Sequence, residues 1–273
     1  MNVQIDAPLV SVVMPVYKEP EPVLRKSIDS ILNQTFMDFE FIIVLDAPDN
    51  LDAIKLIEDY SKNEKRIKLL FNEKNLGVSA TLNRGIKEAK GKYIARQDAD
   101  DESLPDRLEK QVSAFLYAPD IDVIGTAIEY IDEKNNILME RFYKEEVGKE
   151  IKRFNPVAHP SLMLKKDLFE KFGLYDESIL SKHVEDYDLW LRFYLGGVKF
   201  KNINQILYKY YQGKENIKSK NTKRQLFNTI KLKWRYRHSL KFGIGEYIYI
   251  FMEFLVYMLP AFMITKLFYL IKK

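Results

Sequence analysis

The stretch Phe39-Glu40-Phe41-Ile42-Ile43-Val44-Leu45-Asp46 decides the fold. It is apolar almost throughout and ends on a carboxylate. A strand with one wet face alternates apolar and polar residues, so this run reads as a strand covered on both faces. Before it, residues 21–33 have helical spacing, with Val23, Ser27, Ile28, Ile31 and Leu32 on one side, and residues 9–16 form another β-branched apolar run. After it come a helical stretch at 51–61, a strand at 67–71, a helix at 79–89 and a short strand at 93–96. Buried strands alternating with helices imply an α/β fold around a mostly parallel sheet. Ligands of such sheets bind beyond the carboxyl ends of the strands. The places to search are therefore residues 15–19, 45–48, 72–77 and 97–101.

The strongest chemical signal is Arg96-Gln97-Asp98-Ala99-Asp100-Asp101, directly after the short strand. Three neighbouring carboxylates repel one another, and a cation is the simplest way to offset that cost. Mg2+ or Mn2+ takes oxygen ligands and commonly shares them with a diphosphate. The competing reading is a solvated acidic turn that caps the next helix. Asp46 could accept a hydrogen bond from the imide N–H of uracil or thymine, or could serve as a turn residue before Pro48.

Further along, Glu185-Asp186 opens a helix whose Tyr187, Trp190, Leu191 and Tyr194 share one apolar face. The helix dipole keeps a first-turn carboxylate ionised, so Asp186 could act as general base toward a hydroxyl. The alternative is a plain helix cap, with Asp188 and Arg192 an i,i+4 surface pair. Trp190 is placed either against a sugar ring or in the core. His159, before Pro160, is placed either at a phosphate or metal or in a structural hydrogen bond.

Downstream elements are a helix at 107–117, a hairpin from 123–131 to 137–142, a strand at 161–164 and a helix at 184–195. The chain of 273 residues has 47% apolar and 30% charged residues and no cysteine, which excludes disulfides and thiolate chemistry. Residues 1–8 do not read as a signal peptide, so a cytoplasmic start is expected. The net charge of +4 is unevenly spread. From Lys201 onward there are 15 basic and 3 acidic residues, against 28 and 36 before it. The basic end is also apolar: Lys231, Lys233, Arg235, Arg237 and Lys241 precede residues 247–265, interrupted only by Glu253. Glu253 and Pro260 argue against a simple membrane span. An interfacial helix pair on an anionic leaflet fits this composition, and it favours a membrane over nucleic acid. The alternative is a helix packed on the preceding domain.

Several runs, in order, resemble the inverting family-two glycosyltransferases of GT-A fold, especially bacterial enzymes that build O-antigen, capsule and other surface polysaccharides. They are Val10-Ser11-Val12-Val13-Met14-Pro15-Val16-Tyr17, Ser30-Ile31-Leu32-Asn33-Gln34-Thr35 and the Phe41–Asp46 segment, followed by Asn75-Leu76-Gly77 with Leu82-Asn83-Arg84-Gly85. Ala95 to Asp101, His159-Pro160-Ser161 and Glu185 to Arg192 complete the series. The resemblance implies a Rossmann-like catalytic domain over residues 1–210, with a nucleotide-binding half at about 9–101 and an acceptor half at about 102–210. Residues 211–273 form the basic, apolar, helical tail. It further implies that Pro15, Val16, Tyr17, Glu19, Asp46, Asn75, Arg96, Gln97, Asp98 and Ala99 meet the nucleotide-sugar donor. Asp100 and Asp98 would hold Mn2+ or Mg2+, Asp186 would act as base with Glu185 beside it, and His159 and Trp190 would stand toward the acceptor. Many relatives carry an Asp-Asp-Gly-Ser-type turn where this chain has Asp46-Ala47-Pro48-Asp49. With the tail, the resemblance points to a saccharide acceptor linked to undecaprenyl diphosphate, reached from the inner face of the cell membrane.

Other nucleotide-binding classes fit poorly. A sugar-phosphate nucleotidyltransferase should have a glycine-rich loop after the first strand, and residues 15–22 hold no glycine. Neither a Gly-x-Gly-x-x-Gly turn nor a Walker loop is present. A catalytically inactive sugar- or lipid-binding subunit is the remaining alternative, and the joint presence of Asp98, Asp100 and Asp186 argues against it.

Overall fold

The computed structural model describes residues 7–178, 181–212, 217–260 and 263–264, without the side chains of 217–221. The first half forms as the apolar runs dictate: β1 (Val10–Val16), α1 (Glu21–Leu32), β2 (Phe39–Leu45), α2 (Leu51–Asn63), β3 (Ile67–Phe71), α3 (Val78–Glu88) and β4 (Tyr93–Arg96). The pairs β1–β2, β1–β4 and β2–β3 are parallel. Both faces are covered, which explains the unbroken hydrophobicity of the strands. Val10, Val12, Met14, Phe41 and Ile43 pack with Leu24, Ile28 and Leu108 on one side, while Val13, Ile42 and Val44 pack with Leu82 and Ile86 on the other. α3 lies so close to β1 that a Cβ at Gly85 would stand 2.5 Å from Val13 Cγ1.

The second half contains β5 (Glu102–Ser103), α4 (Arg107–Tyr117), β6 (Val123–Ile131), β7 (Ile137–Arg141), β8 (Met163–Lys165), α5 (Asp167–Phe172), α6 (Glu185–Leu195) and β9 (Phe200–Tyr211). The sheet runs β3-β2-β1-β4-β8-β6-β9-β5, with β7 on β6. Here the expectation of a mostly parallel sheet needs correcting. β4–β8, β6–β8, β6–β7 and β5–β9 are antiparallel, while β6–β9 is parallel, so the whole sheet is mixed. The connection between β6 and β7 is a tight turn closed by Asp132, whose Oδ1 accepts from the amides of Lys134 and Asn136 at 2.8 Å each. So short a turn can join only antiparallel neighbours.

The tail forms α7 (Ile217–Tyr236) and α8 (Ile244–Met258). Leu232 and Leu240 enter the same core cluster as Tyr187 and Trp190. α8 buries only Ile250 and exposes Ile244, Ile248, Phe251, Met252 and Leu255. Among the described residues no helix is long and apolar enough to cross a membrane. Residues 213–216 of the region between domain and tail, and 261–262 and 265 at the end of the apolar stretch, lie outside the described residues.

Candidate active site

At the end of β1, Pro15 lies past Val13, the last β1 residue paired with β4, where a missing N–H costs the ladder nothing on that side. Val16 is buried, and its carbonyl accepts from Asp46 N at 2.7 Å, tying the ends of β1 and β2 together. Tyr17 is exposed, and its amide donates to Glu19 Oε2 at 2.7 Å. Burial raises the pKa of Glu19 above its ordinary value, and the Asp98 charge adds to the effect. Asp46 is buried with both carboxylate oxygens engaged. Oδ1 accepts from Asn72 Nδ2 at 2.7 Å and from Leu76 N at 2.8 Å, and Oδ2 from Gly77 N at 2.8 Å. Asp46 therefore holds the loop that displays exposed Asn75, and Gly77 supplies the φ of +84° on which that loop enters α3.

The acidic turn after β4 rests on Gln97, which is fully buried. Its Nε2 donates to the carbonyl of Asp101 at 2.8 Å and to Ser27 Oγ at 3.0 Å, and its Oε1 accepts from Ser103 Oγ at 2.7 Å. Ser27 Oγ in turn donates to the Asp98 carbonyl at 2.8 Å. Ala99 is buried between half-buried Asp98 and exposed Asp100. Asp98, Asp100 and Asp101 each bring a carboxylate oxygen within 4.8 Å of the others. Asp101 is buried, accepts from Tyr211 N at 2.8 Å, and has its pKa driven up by burial and then by the Asp100 and Asp98 charges. Arg96 is also buried, and its Nη2 meets Asp98 Oδ1 at 2.7 Å. Burial works against the guanidinium's charge, and Asp98 overcomes it, so its pKa ends above the usual value. Sequence reading passed over Tyr208, whose hydroxyl accepts from Asp98 N at 3.1 Å. No local signal marks it, since Leu207 and Tyr208 of β9 are adjacent and both buried, so the strand does not alternate there.

Glu185 and Asp186 open α6, where Asp186 Oδ1 accepts from Tyr187 N and Oδ2 from Asn155 Nδ2, both at 2.7 Å. Burial, and after it the Asp186 charge, pushes the Glu185 carboxyl up to about 7. The charges of both acidic groups act on a common residue, the buried Tyr175. Burial raises the pKa of its phenol, and the charges of Arg96, Asp186, Glu185 and Asp98 all act on it. The fold thus gathers the end of β4 and the start of α6 at one place.

Residues 11–173 match the profile of glycosyl transferase family 2. The chain belongs to glycosyl transferase family 2. An uncharacterized glycosyltransferase of Methanocaldococcus jannaschii is 41% identical over 251 residues, covering 90% of this chain and 86% of that protein. The O-antigen biosynthesis glycosyltransferase WbnJ of Escherichia coli is 37% identical over 207 residues, covering 74% and 79%. Among solved structures, S. aureus TarS in complex with UDP-GlcNAc superposes with a TM-score of 0.62 at 18% identity, over 82% of this chain and 66% of that one. At that identity the likeness establishes the GT-A-like fold.

Within this family-2 chain two sequence-predicted acceptor residues need placing. His159 is half-buried, and its Nε2 lies 2.7 Å from the Tyr175 hydroxyl. Trp190 is fully buried, edge-on to His159 and Phe200, so the expected stacking on a sugar is corrected to a core role. The Asp188–Arg192 pair, at 2.9 Å, lies at the domain–tail junction rather than on the surface, since Asp188 is buried and also accepts from Tyr236 OH at 2.9 Å.

Proposed function

We propose that this glycosyltransferase moves a sugar from a nucleoside-diphosphate donor, a UDP-sugar foremost, to a hydroxyl of a saccharide acceptor, inverting the anomeric centre, in surface-polysaccharide assembly. The observation that carries the reading is the acidic turn at the carboxyl end of parallel strand β4, where Asp98, Asp100 and Asp101 each bring a carboxylate oxygen within 4.8 Å of the others. The UDP-GlcNAc bound by TarS supports a UDP-sugar, and the place of WbnJ in O-antigen biosynthesis supports a polysaccharide product.

The acidic turn suits a hard divalent ion, because its three carboxylates are close enough to share one. Asp98 and Asp100, with Asp101 behind them, would hold Mn2+ or Mg2+. Bound there, the ion offsets negative charge growing on the departing diphosphate, as a Lewis acid. Tyr17, Pro15 and Val16 line the nucleotide side, Glu19 and Arg96 flank Asp98, and Asp46 keeps the Asn75 loop in place. Asp186 takes the proton of the acceptor hydroxyl as its oxygen bonds to the anomeric carbon. The bond to the diphosphate oxygen breaks on the opposite side, and its electron pair leaves with the diphosphate. His159 and Tyr175 shape the acceptor side.

The exposed apolar residues of α8, with exposed Lys231, Arg235 and Lys241 before it, support attachment to the inner, anionic face of a membrane, where an undecaprenyl-diphosphate-linked acceptor would lie; Lys233 is turned inward and takes no part. The decisive experiment is a thermal-shift screen of nucleotide sugars with and without Mn2+, followed by a transfer assay on the stabilising donor. A selective donor should raise Tm only with the ion present, through mass action. Equal response to every nucleotide sugar, or none, would remove the donor reading. Sedimentation with anionic vesicles tests the tail, and a protein that stays in the supernatant at low salt would remove membrane attachment.

A further inference from the structure

The tail is bonded to the body at two places: Asn228 and Tyr236 of α7 donate to the Lys182 carbonyl and to Asp188, and a second group of bonds meets the short segment at Lys152 and Arg153. The Lys152 ammonium donates to the carbonyl of Leu240 at 2.6 Å, and Arg153 meets Glu246 of α8 at 2.8 Å. Lys233 of α7 is the centre of the arrangement. Its side chain is 1% exposed, and its Nζ donates to the Arg153 carbonyl and, at 2.6 Å, to Glu253 of α8. The same Nζ stands 5.9 Å from the Tyr187 ring and 4.7 Å from the Tyr249 ring. Segment 151–155 continues from these contacts straight to Asp186. Tyr187 OH donates to the Ile151 carbonyl at 2.6 Å, and Asn155 Nδ2 donates to Asp186 at 2.7 Å.

A buried ammonium is costly unless it is paired and hydrogen-bonded. Lys233 meets that condition only while α7, α8 and the Arg153 carbonyl hold their present places. Glu253, the one charge in the apolar stretch, is thereby explained as the inward partner of this lysine. We propose that Lys233 is a positioning residue for Asp186: by pinning the Arg153 carbonyl it fixes segment 151–155, and so the Asn155 hydrogen bond that orients the carboxylate. The inference rests on Asp186 being the base of the proposed transfer.

The test replaces the pair together, Lys233→Met with Glu253→Leu, since similar-volume apolar substitution of a buried ion pair is often neutral for stability. Hydrogen–deuterium exchange should quicken in 151–155 and in the first turn of α6 while β1–β4 stays protected as before. Unchanged exchange there overturns the proposal, whatever the enzyme's substrate. With an active donor and acceptor, transfer kcat should fall about 10- to 100-fold through misplacement of the base, with donor KM kept. The acid limb of the kcat profile should move to higher pH, because a carboxylate that loses a donor protonates more readily. Adding Asn155→Ala to the double variant should cost little more, since all three residues act through one hydrogen bond. Fully additive losses, or wild-type kcat in the double variant, also overturn it. A wild-type protein that transfers nothing while exchange still responds would instead place the fault in the function reading.

Discussion

The end of β4 and the start of α6 each present carboxylates, and the fold holds them by opposite means. Asp98, Asp100 and Asp101 sit on a turn held from beneath by residues near in space to the parallel sheet: Gln97, Ser27 and Ser103. Asp186 depends on Asn155, from a segment that the tail helices brace. The first site is a product of sheet topology, since a parallel strand must end at that edge. The second is a product of long-range packing and is as stable as the contacts between α6, segment 151–155 and α7. One consequence is that damage should spread differently: at β4 within the sheet and α1, through Ser27 and the β9 residues Tyr208 and Tyr211, and at α6 outward to the tail helices.

The sharpest way to break this comparison is Asp186→Asn. Transfer should drop about 10²- to 10⁴-fold, the usual range for loss of a general base, while donor-induced stabilisation with Mn2+ persists. Near wild-type transfer would remove Asp186 from the base role. Next is Asp100→Asn, which should weaken Mn2+-dependent donor binding on the order of 100-fold in a titration followed by thermal shift. Metal dependence equal to wild type would show that the turn holds no ion through Asp100.

The same contrast explains what the sequence could disclose. Phe39–Leu45 and Tyr93–Arg96 were each readable to the residue, because strands buried on both faces need continuous apolar runs, and Ile67–Phe71 was readable from its flanking turns although it is the half-buried outer strand. Asp98 and Asp100 were readable because their place at a strand end is local information. Tyr208 and Asn155 were not: β9 lies more than a hundred residues beyond the turn it supports, and Asn155 sits in a segment without periodicity. Asp46 marks the boundary, as its strand-end position was plain while its grip on Leu76 and Gly77 required the folded loop. The tail was legible as apolar and basic, yet its division into a packed α7 and an exposed α8 depended on which leucines met the core.

A smaller effect sharpens the donor half. Gly85→Ala places a methyl 2.5 Å from Val13 Cγ1, inside the contact that seats α3 on β1. Overpacking of this kind costs about 1–3 kcal/mol, to be read from urea unfolding. Activity per folded molecule should change little, because α3 lies behind the strand ends. A loss of transfer without a loss of stability would mean that the β3–α3 loop, with Asn75 and Gly77, had moved instead.

The smallest effect concerns the acceptor half and depends on pH. The Glu185 carboxyl lies at about 7 in the folded chain, through burial and then the Asp186 charge, against an ordinary value of 4.5. Between those values the folded state holds more of this proton than the unfolded state does. Stability from this group is therefore greatest below pH 4.5 and is lost as pH rises toward 7. Glu185→Gln cannot ionise and escapes that loss. Its stability relative to wild type should improve between pH 5 and pH 8 by at most about 3 kcal/mol, and by less where water screens the group. Urea unfolding at both pH values measures this difference directly. An equal offset at the two values would mean that Glu185 carries no raised pKa, leaving Asp186 without a neighbour that is protonated as often as not near neutrality. A larger offset at pH 8 would instead show that the pair opens α6 under electrostatic strain, the strain that packing from segment 151–155 and α7 must hold in place.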